Sequence, residues 1–266
     1  MRAIPRTLSD RSLWPLSVAG TAVADTFSLD ALSKFDFRSY IENCRTMGIG
    51  SFPLISLAAV FISFTVTLQV VFVATKYGVE EIAGGVIAAG LLRELGPLTL
   101  GVAWAARVAV LFAEEAVCLP EMSDRKFAAS FTLPRYAAAV SMAFPLSVYG
   151  LVIGFLTATA TAAVLGGVPP DIFLEAGRLG VTNKDVMVYF IKLVLINPAS
   201  AIFAAAIYLR LTQDRSRRVI SRTLTAAVIV AYAANATISN LFYAPMNHWQ
   251  RFPQPDPQFS QPAKSK

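Results

Sequence analysis

The strongest constraint on this chain is a series of apolar runs, each about as long as a bilayer is thick. A hydrocarbon core of about 30 Å takes roughly 20 apolar residues in helical form. Phe52 to Thr75 carries no charge over its whole length, and comparable runs extend over Ile82–Val117, Tyr136–Leu165, Val186–Leu211 and Thr223–Tyr243. Water cannot satisfy backbone N–H and C=O groups inside a bilayer, so runs of this length predict helices that bond internally. The fold class expected is an all-α membrane protein with about five transmembrane helices. Composition agrees: 55% of the 266 residues are hydrophobic, 15% are charged, and mean hydropathy is +0.56.

A net charge of +6 could suggest a nucleic-acid partner. The basic residues instead collect in short stretches between the apolar runs, without the basic stripe or interleaved aromatics such a partner would need. Counted on the two sides that five spans create, fourteen Lys and Arg fall on the side of the N-terminus, Arg2 to Arg45, Arg125 to Arg135 and Arg210 to Arg222. Only six fall opposite: Lys76, Arg178, Lys184, Arg251, Lys264 and Lys266. Short basic loops stay in the cytoplasm, so the N-terminus is expected there and the Pro/Gln-rich tail outside.

Three regions are expected. Residues 1–50 form a cytoplasmic segment, 51–245 the membrane domain, and 246–266 a disordered tail. Within the first, Phe27 to Cys44 mixes Phe, Leu, Tyr and Ile with Asp30, Lys34, Asp36, Arg38 and Glu42, the pattern of an amphipathic helix lying in the interface. Leu13 to Ala24, after Arg2, Arg6 and Arg11, has the outline of a leader peptide. Pro15 interrupts that stretch, which favours a segment lying on the membrane surface. Pro97, beside Gly96, removes a helical hydrogen bond and predicts a kink or break in the second span, and Pro145 and Pro198 predict bends in the third and fourth.

Cys44 and Cys118 stand alone and His248 is the one histidine, so neither a disulfide framework nor a zinc site has material. No Walker A loop, nucleophile–base pair or cofactor fingerprint is present, so no enzymatic activity and no cofactor are expected of this chain. ATP hydrolysis would belong to another subunit.

Ionisable residues inside apolar runs are costly and therefore stand out. The second run holds Arg93, Glu94, Arg107, Glu114 and Glu115. At 100° per residue Arg107 falls about 40° and Glu114 about 60° from Arg93, one stripe on a straight helix. Two readings of Arg93 and Glu94 follow: a cavity binding a lipid phosphate, for which the planar guanidinium is suited, or structural pairing. Arg107, Glu114 and Glu115 are expected to pair within the membrane. Lys192 is expected to snorkel or to pair with Asp185. Gln69, Asn197, Asn235 and Asn240 suit interhelical hydrogen bonding, and Gly84, Gly85, Ala88, Ala89 and Gly90 suit close helix packing.

Four stretches resemble the MlaE/YrbE permease family: MGIGSFPLISLAAVF (Met47–Phe61), KYGVEEIAGGVIAAGLLRELGP (Lys76–Pro97), AARVAVLFAEE (Ala105–Glu115) and SRTLTAAVIVAYAANATISNLFY (Ser221–Tyr243). RELGP is the most specific. The resemblance implies the permease subunit of an ABC-type lipid transporter, with phospholipid or a similar lipid as cargo, in a bacterial inner membrane or an organelle membrane of bacterial origin. It implies a homodimer or a pseudo-dimer with a paralogue, a separate ATPase and an MCE-type lipid-binding protein. Lipid binding would fall to Arg93, Glu94, Gly96, Pro97 and Gln69, and ATPase coupling to Glu121, Asp124, Arg125 and Lys126. Two departures stand out. The coupling stretch Val117–Arg135 is roughly seven residues shorter than the family's and lacks its motif, and Asn235 replaces a common aspartate. The short loop also fits a second reading, a membrane scaffold that kept the permease fold without transporting.

Overall fold

The computed structural model describes residues 8–33, 35–119, 123–212 and 216–243. The expected tail, 246–266, and Glu121 lie outside them. Five helices are long and apolar enough to cross a membrane: α3 (Phe37–Tyr77), α4 (Glu80–Val117), α5 (Ala128–Gly166), α7 (Asn183–Thr212) and α8 (Arg218–Tyr243). Shorter helices accompany them, among them α1 (Leu8–Thr26), α2 (Leu29–Ser33) and α6 (Pro170–Gly180). Successive spans run in opposite directions. α1 and the start of α3 define a near face, and the end of α8 lies on the opposite, far face.

α3 and α5 pack along a seam of small residues. Ile55, Ala59, Ser63, Thr67 and Val71 recur every fourth position on the buried face of α3, and Gly150, Gly154, Ala158 and Ala162 do the same on α5. Within lipid no hydrophobic force draws helices together, so close backbone approach and dispersion must do so, and small residues permit it. The approach is tight: a Cβ on Gly154 would stand 2.9 Å from Ser63 Oγ. The outward face of α3 keeps Leu57, Phe61 and Phe72 exposed, as a lipid-facing or partner-facing surface requires.

α3 and α5 both stop at a left-handed glycine, Gly78 (φ 66°) and Gly167 (φ 65°). Beyond Gly167, α6 lies against the first turns of α4. Gly85 and Gly180 meet almost backbone to backbone, where a Cβ on Gly180 would come 2.5 Å from Gly85 Cα. The long apolar runs drew attention to the spans alone, and α6 was not expected; its hydrophobic residues are too few to span.

Two expectations need correction. Of the kink or break expected at Pro97, the break does not occur: the backbone of α4 stays helical through wide, π-type turns at Leu91–Leu95 and Pro97–Gly101. Such turns let a helix absorb a proline without ending. A similar turn, Ile191–Ile196, precedes Pro198 in α7. The interfacial helix expected over Phe27–Cys44 is divided. α2 ends at Ser33, and Asp36 restarts the chain by capping the N–H groups of Arg38 and Ser39 at 3.0 and 3.3 Å. Phe37 and Ile41 remain exposed there, as an interfacial segment needs. Pro15 lies inside α1, whose backbone stays helical through it. α1 docks on α7 with Val18 and Ala22 buried, an Asp25–Arg210 ion pair at 3.4 Å, and a ring cluster of Phe27, Tyr136 and Phe203.

Candidate functional site

A connected set of polar side chains lies where α4, α7 and α8 meet near the far face. The anchor is the start of α7, where Thr182 and Asp185 form a reciprocal cap: the Asp185 N–H donates to Thr182 Oγ1, and the Thr182 N–H donates to Asp185 Oδ2 at 2.9 Å. A carboxylate three residues into a helix also meets the positive end of its dipole. Capping fixes the carboxylate in place, and two other helices then converge on it. Arg93 of α4 donates from Nε to Oδ1 at 2.8 Å and from Nη2 to Oδ2 at 3.1 Å. Tyr243, at the end of α8, donates its hydroxyl to Oδ1 at 3.0 Å, and its ring lies 5.6 Å from the Arg93 guanidinium carbon.

About two turns further along α7 lies Lys192, whose side chain is wholly buried. Pro97 lacks the N–H that an α-helix would bring to the carbonyl of Arg93, four residues earlier, and Lys192 Nζ donates to that carbonyl. The same ammonium donates to Glu94 Oε1 at 3.4 Å and to Ser239 of α8. Its three protons therefore have three acceptors. Below it Asn197 donates to the Lys192 carbonyl at 2.8 Å, and Asn235 donates to Asn197 Oδ1 at 3.0 Å.

Arg93 differs from Lys192 in what it has left. Its side chain is 36% exposed and Asp185 occupies two of the five guanidinium N–H groups. Glu94 beside it is 41% exposed. Arg93, Asp185, Lys192 and Glu94 sum to zero charge, and Lys184, whose Nζ lies 5.3 Å from the Tyr243 ring centre, brings the group to +1. The arrangement can present an anion with a positively biased, half-open guanidinium.

Arg93 and Glu94 are thus held level with the far ends of α7 and α8, and Asp185 pairs with Arg93. Lys192 neither snorkels nor meets Asp185; it is buried against Glu94. Gly96 and Pro97 are placed beside this cluster, and Gly96 also lines a small apolar crevice with Ala59, Ser63, Leu91, Gly150 and Tyr189. Gln69 is exposed on α3, with no hydrogen bond to the cluster. The charge stripe on α4 is not formed: wide turns between Arg93 and Arg107 give fewer degrees per residue than the 100° assumed. Glu115 pairs with Arg135 of α5, Glu114 is exposed, and Arg107 has no ionic or hydrogen-bonding partner among the described residues. Lys126 is exposed; Asp124 and Arg125 fall in a short helical turn ahead of α5. The roles of Asp185 and Tyr243 were missed. The Thr182-x-x-Asp185 spacing, a capping signature at the mouth of an apolar run, was the available signal.

The architecture is that of a multi-pass, all-helical membrane protein with a polar cluster between its spans, the class to which membrane permeases belong. The Permease MlaE family model matches residues 40–117 and 121–243, and the chain belongs to that family. It is 26% identical over 213 residues to "Probable ABC transporter permease protein slr1045" of Synechocystis sp. (strain ATCC 27184 / PCC 6803 / Kazusa), covering 77% of this chain and 80% of the relative. It is also 26% identical over 160 residues to "Probable ABC transporter permease protein ycf63" of Porphyra purpurea, covering 57% of this chain and 61% of that protein.

Proposed function

We propose that this ABC transporter permease carries lipid, with phospholipid as the cargo class. It works with a separate ATPase on the near, cytoplasmic face and an MCE-type lipid-binding protein on the far face, and it pairs with a second copy or a paralogue. The observation that carries the reading is the half-exposed Arg93 guanidinium. Three of its N–H groups are left over from Asp185, beside an ammonium that is fully committed. A guanidinium fork matches phosphate oxygens in pairs, so this is where a phospholipid headgroup finds its complement. Glu94 orients the site from the Lys192 side.

The test is phospholipid per assembled chain after purification in detergent. Arg93→Ala is expected to lose most of it and Arg93→Lys to keep part, because the charge survives without the fork. Unchanged lipid in well-assembled Arg93→Ala protein refutes the reading. A scaffold role is the second reading, favoured by the short coupling stretch, where the family match is interrupted over residues 118–120. Recovery of an ATPase and an MCE protein with the tagged chain supports the transporter, and recovery of an unrelated complex supports the scaffold.

A further inference from the structure

Arg107 is the anomaly of the near-face half. Its Nε is buried without a hydrogen-bond partner, and no carboxylate pairs with it among the described residues. Among the described acids of that half, Glu115 holds Arg135, Asp25 holds Arg210, Asp36 caps the N–H groups of Arg38 and Ser39, and Glu42 and Glu114 are exposed. Leaving a charged donor unmade is among the more costly things a folded chain can do, and more so away from water.

The surroundings of Arg107 say what could satisfy it. A Cβ on Gly50 would stand 2.9 Å from Arg107 Nη2, so the guanidinium lies over the one turn of α3 that has no side chain to cover it. Gly50 is exposed, and neighbouring Ile49 is 63% exposed, so this surface is open to the outside and apolar. One turn before Arg107, Trp104 donates its indole N–H to the Met47 carbonyl at 3.2 Å, which ties α4 to this turn. The level is set by α3 itself: its charge-free apolar run starts at Phe52, two residues beyond Gly50. The guanidinium therefore sits where the hydrocarbon of the near leaflet gives way to headgroups, and headgroup phosphates are the anions found at that depth.

We propose that Arg107, over the bare turn at Gly50, binds the phosphate of a near-leaflet phospholipid, at a site separate from the Arg93 cluster. Its occupant completes the hydrogen bonding that the chain leaves open. The site depends on the membrane reading of the fold and not on Arg93, so the two proposals fail separately.

The full chain, stripped of lipid in detergent, is titrated with phosphatidylglycerol in mixed micelles, and bound lipids per chain are counted by native mass spectrometry. Arg107→Gln is expected to weaken one bound lipid about tenfold, in line with loss of a charge-assisted hydrogen bond. Arg107→Lys should fall between it and the wild type, and Arg93→Ala should remove a different lipid, additively. A parallel titration uses inorganic phosphate: failure to displace the lipid supports a headgroup site, whereas displacement marks a free-phosphate site and overturns the assignment. Equal lipid occupancy in well-folded Arg107→Gln overturns it too. So does a fall in dimer fraction with lipid per chain unchanged, which would give Arg107 a carboxylate from a second copy. If Arg93→Ala alone retains its lipid, the Arg93 reading falls and this one stands.

Discussion

Lys192 donates a hydrogen bond to the main-chain carbonyl of Arg93, the carbonyl that Pro97 leaves without its α-helical donor. A side chain of α7 thus repairs a backbone defect in α4. The ammonium that does so is fully buried, and Glu94 balances its charge. The proline and the lysine are one structural device carried on two spans, and coupling between them is measurable.

Lys192→Met should destabilise the protein by about 2–3 kcal/mol, since it strands the Arg93 carbonyl and takes a partner from Glu94. Pro97→Ala returns an N–H to that carbonyl, so the double variant should recover about 1 kcal/mol relative to the sum of the two single effects. Thermal unfolding of the four proteins in one detergent supplies the cycle. Strict additivity would show that the contact carries no coupling.

Asp185→Asn should lower stability and raise lipid binding together. It removes the charge that Thr182, Arg93 and Tyr243 converge on, at a cost of about 2–3 kcal/mol. It also loosens the guanidinium of Arg93 for an external anion. Melting temperature and co-purified phospholipid, read on the same samples, should move in opposite directions. A parallel fall in both would make Arg93 a purely structural partner of Asp185.

Gly180→Val should displace α6 from α4. The backbones at Gly85 and Gly180 already touch, so added methyl groups have no free volume to enter. A loss of about 2 kcal/mol is expected, with faster amide exchange confined to Pro170–Gly180 and the first turns of α4. Ala in place of Gly20, which has open space around its Cβ position, should leave exchange unchanged.

Orientation is tested by labelling. With Cys44 and Cys118 replaced by Ala, a single cysteine at Ser260 should react with an impermeant reagent added outside the cell, and one at Ser216 should not. The fourteen-to-six division of Lys and Arg motivates this outcome. The reverse pattern would invert the chain in the membrane, and labelling of both from one side would remove a span.

By itself the sequence determined the spans, because length and apolarity are local properties and a bilayer leaves few other ways to satisfy the backbone. Val117 and Tyr243 mark helix ends in both the sequence reading and the fold. It also singled out Arg93 and Glu94, since a charge in an apolar run is conspicuous without any knowledge of its neighbours. What it could not determine was who meets whom. Asp185 is 92 residues from Arg93 and Lys192 98 from Glu94, and no local rule links such positions. The outcome at Pro97 was tertiary as well. A proline specifies only that an N–H is missing; whether the helix breaks or winds on depends on which donor reaches the freed carbonyl, and here it comes from another span.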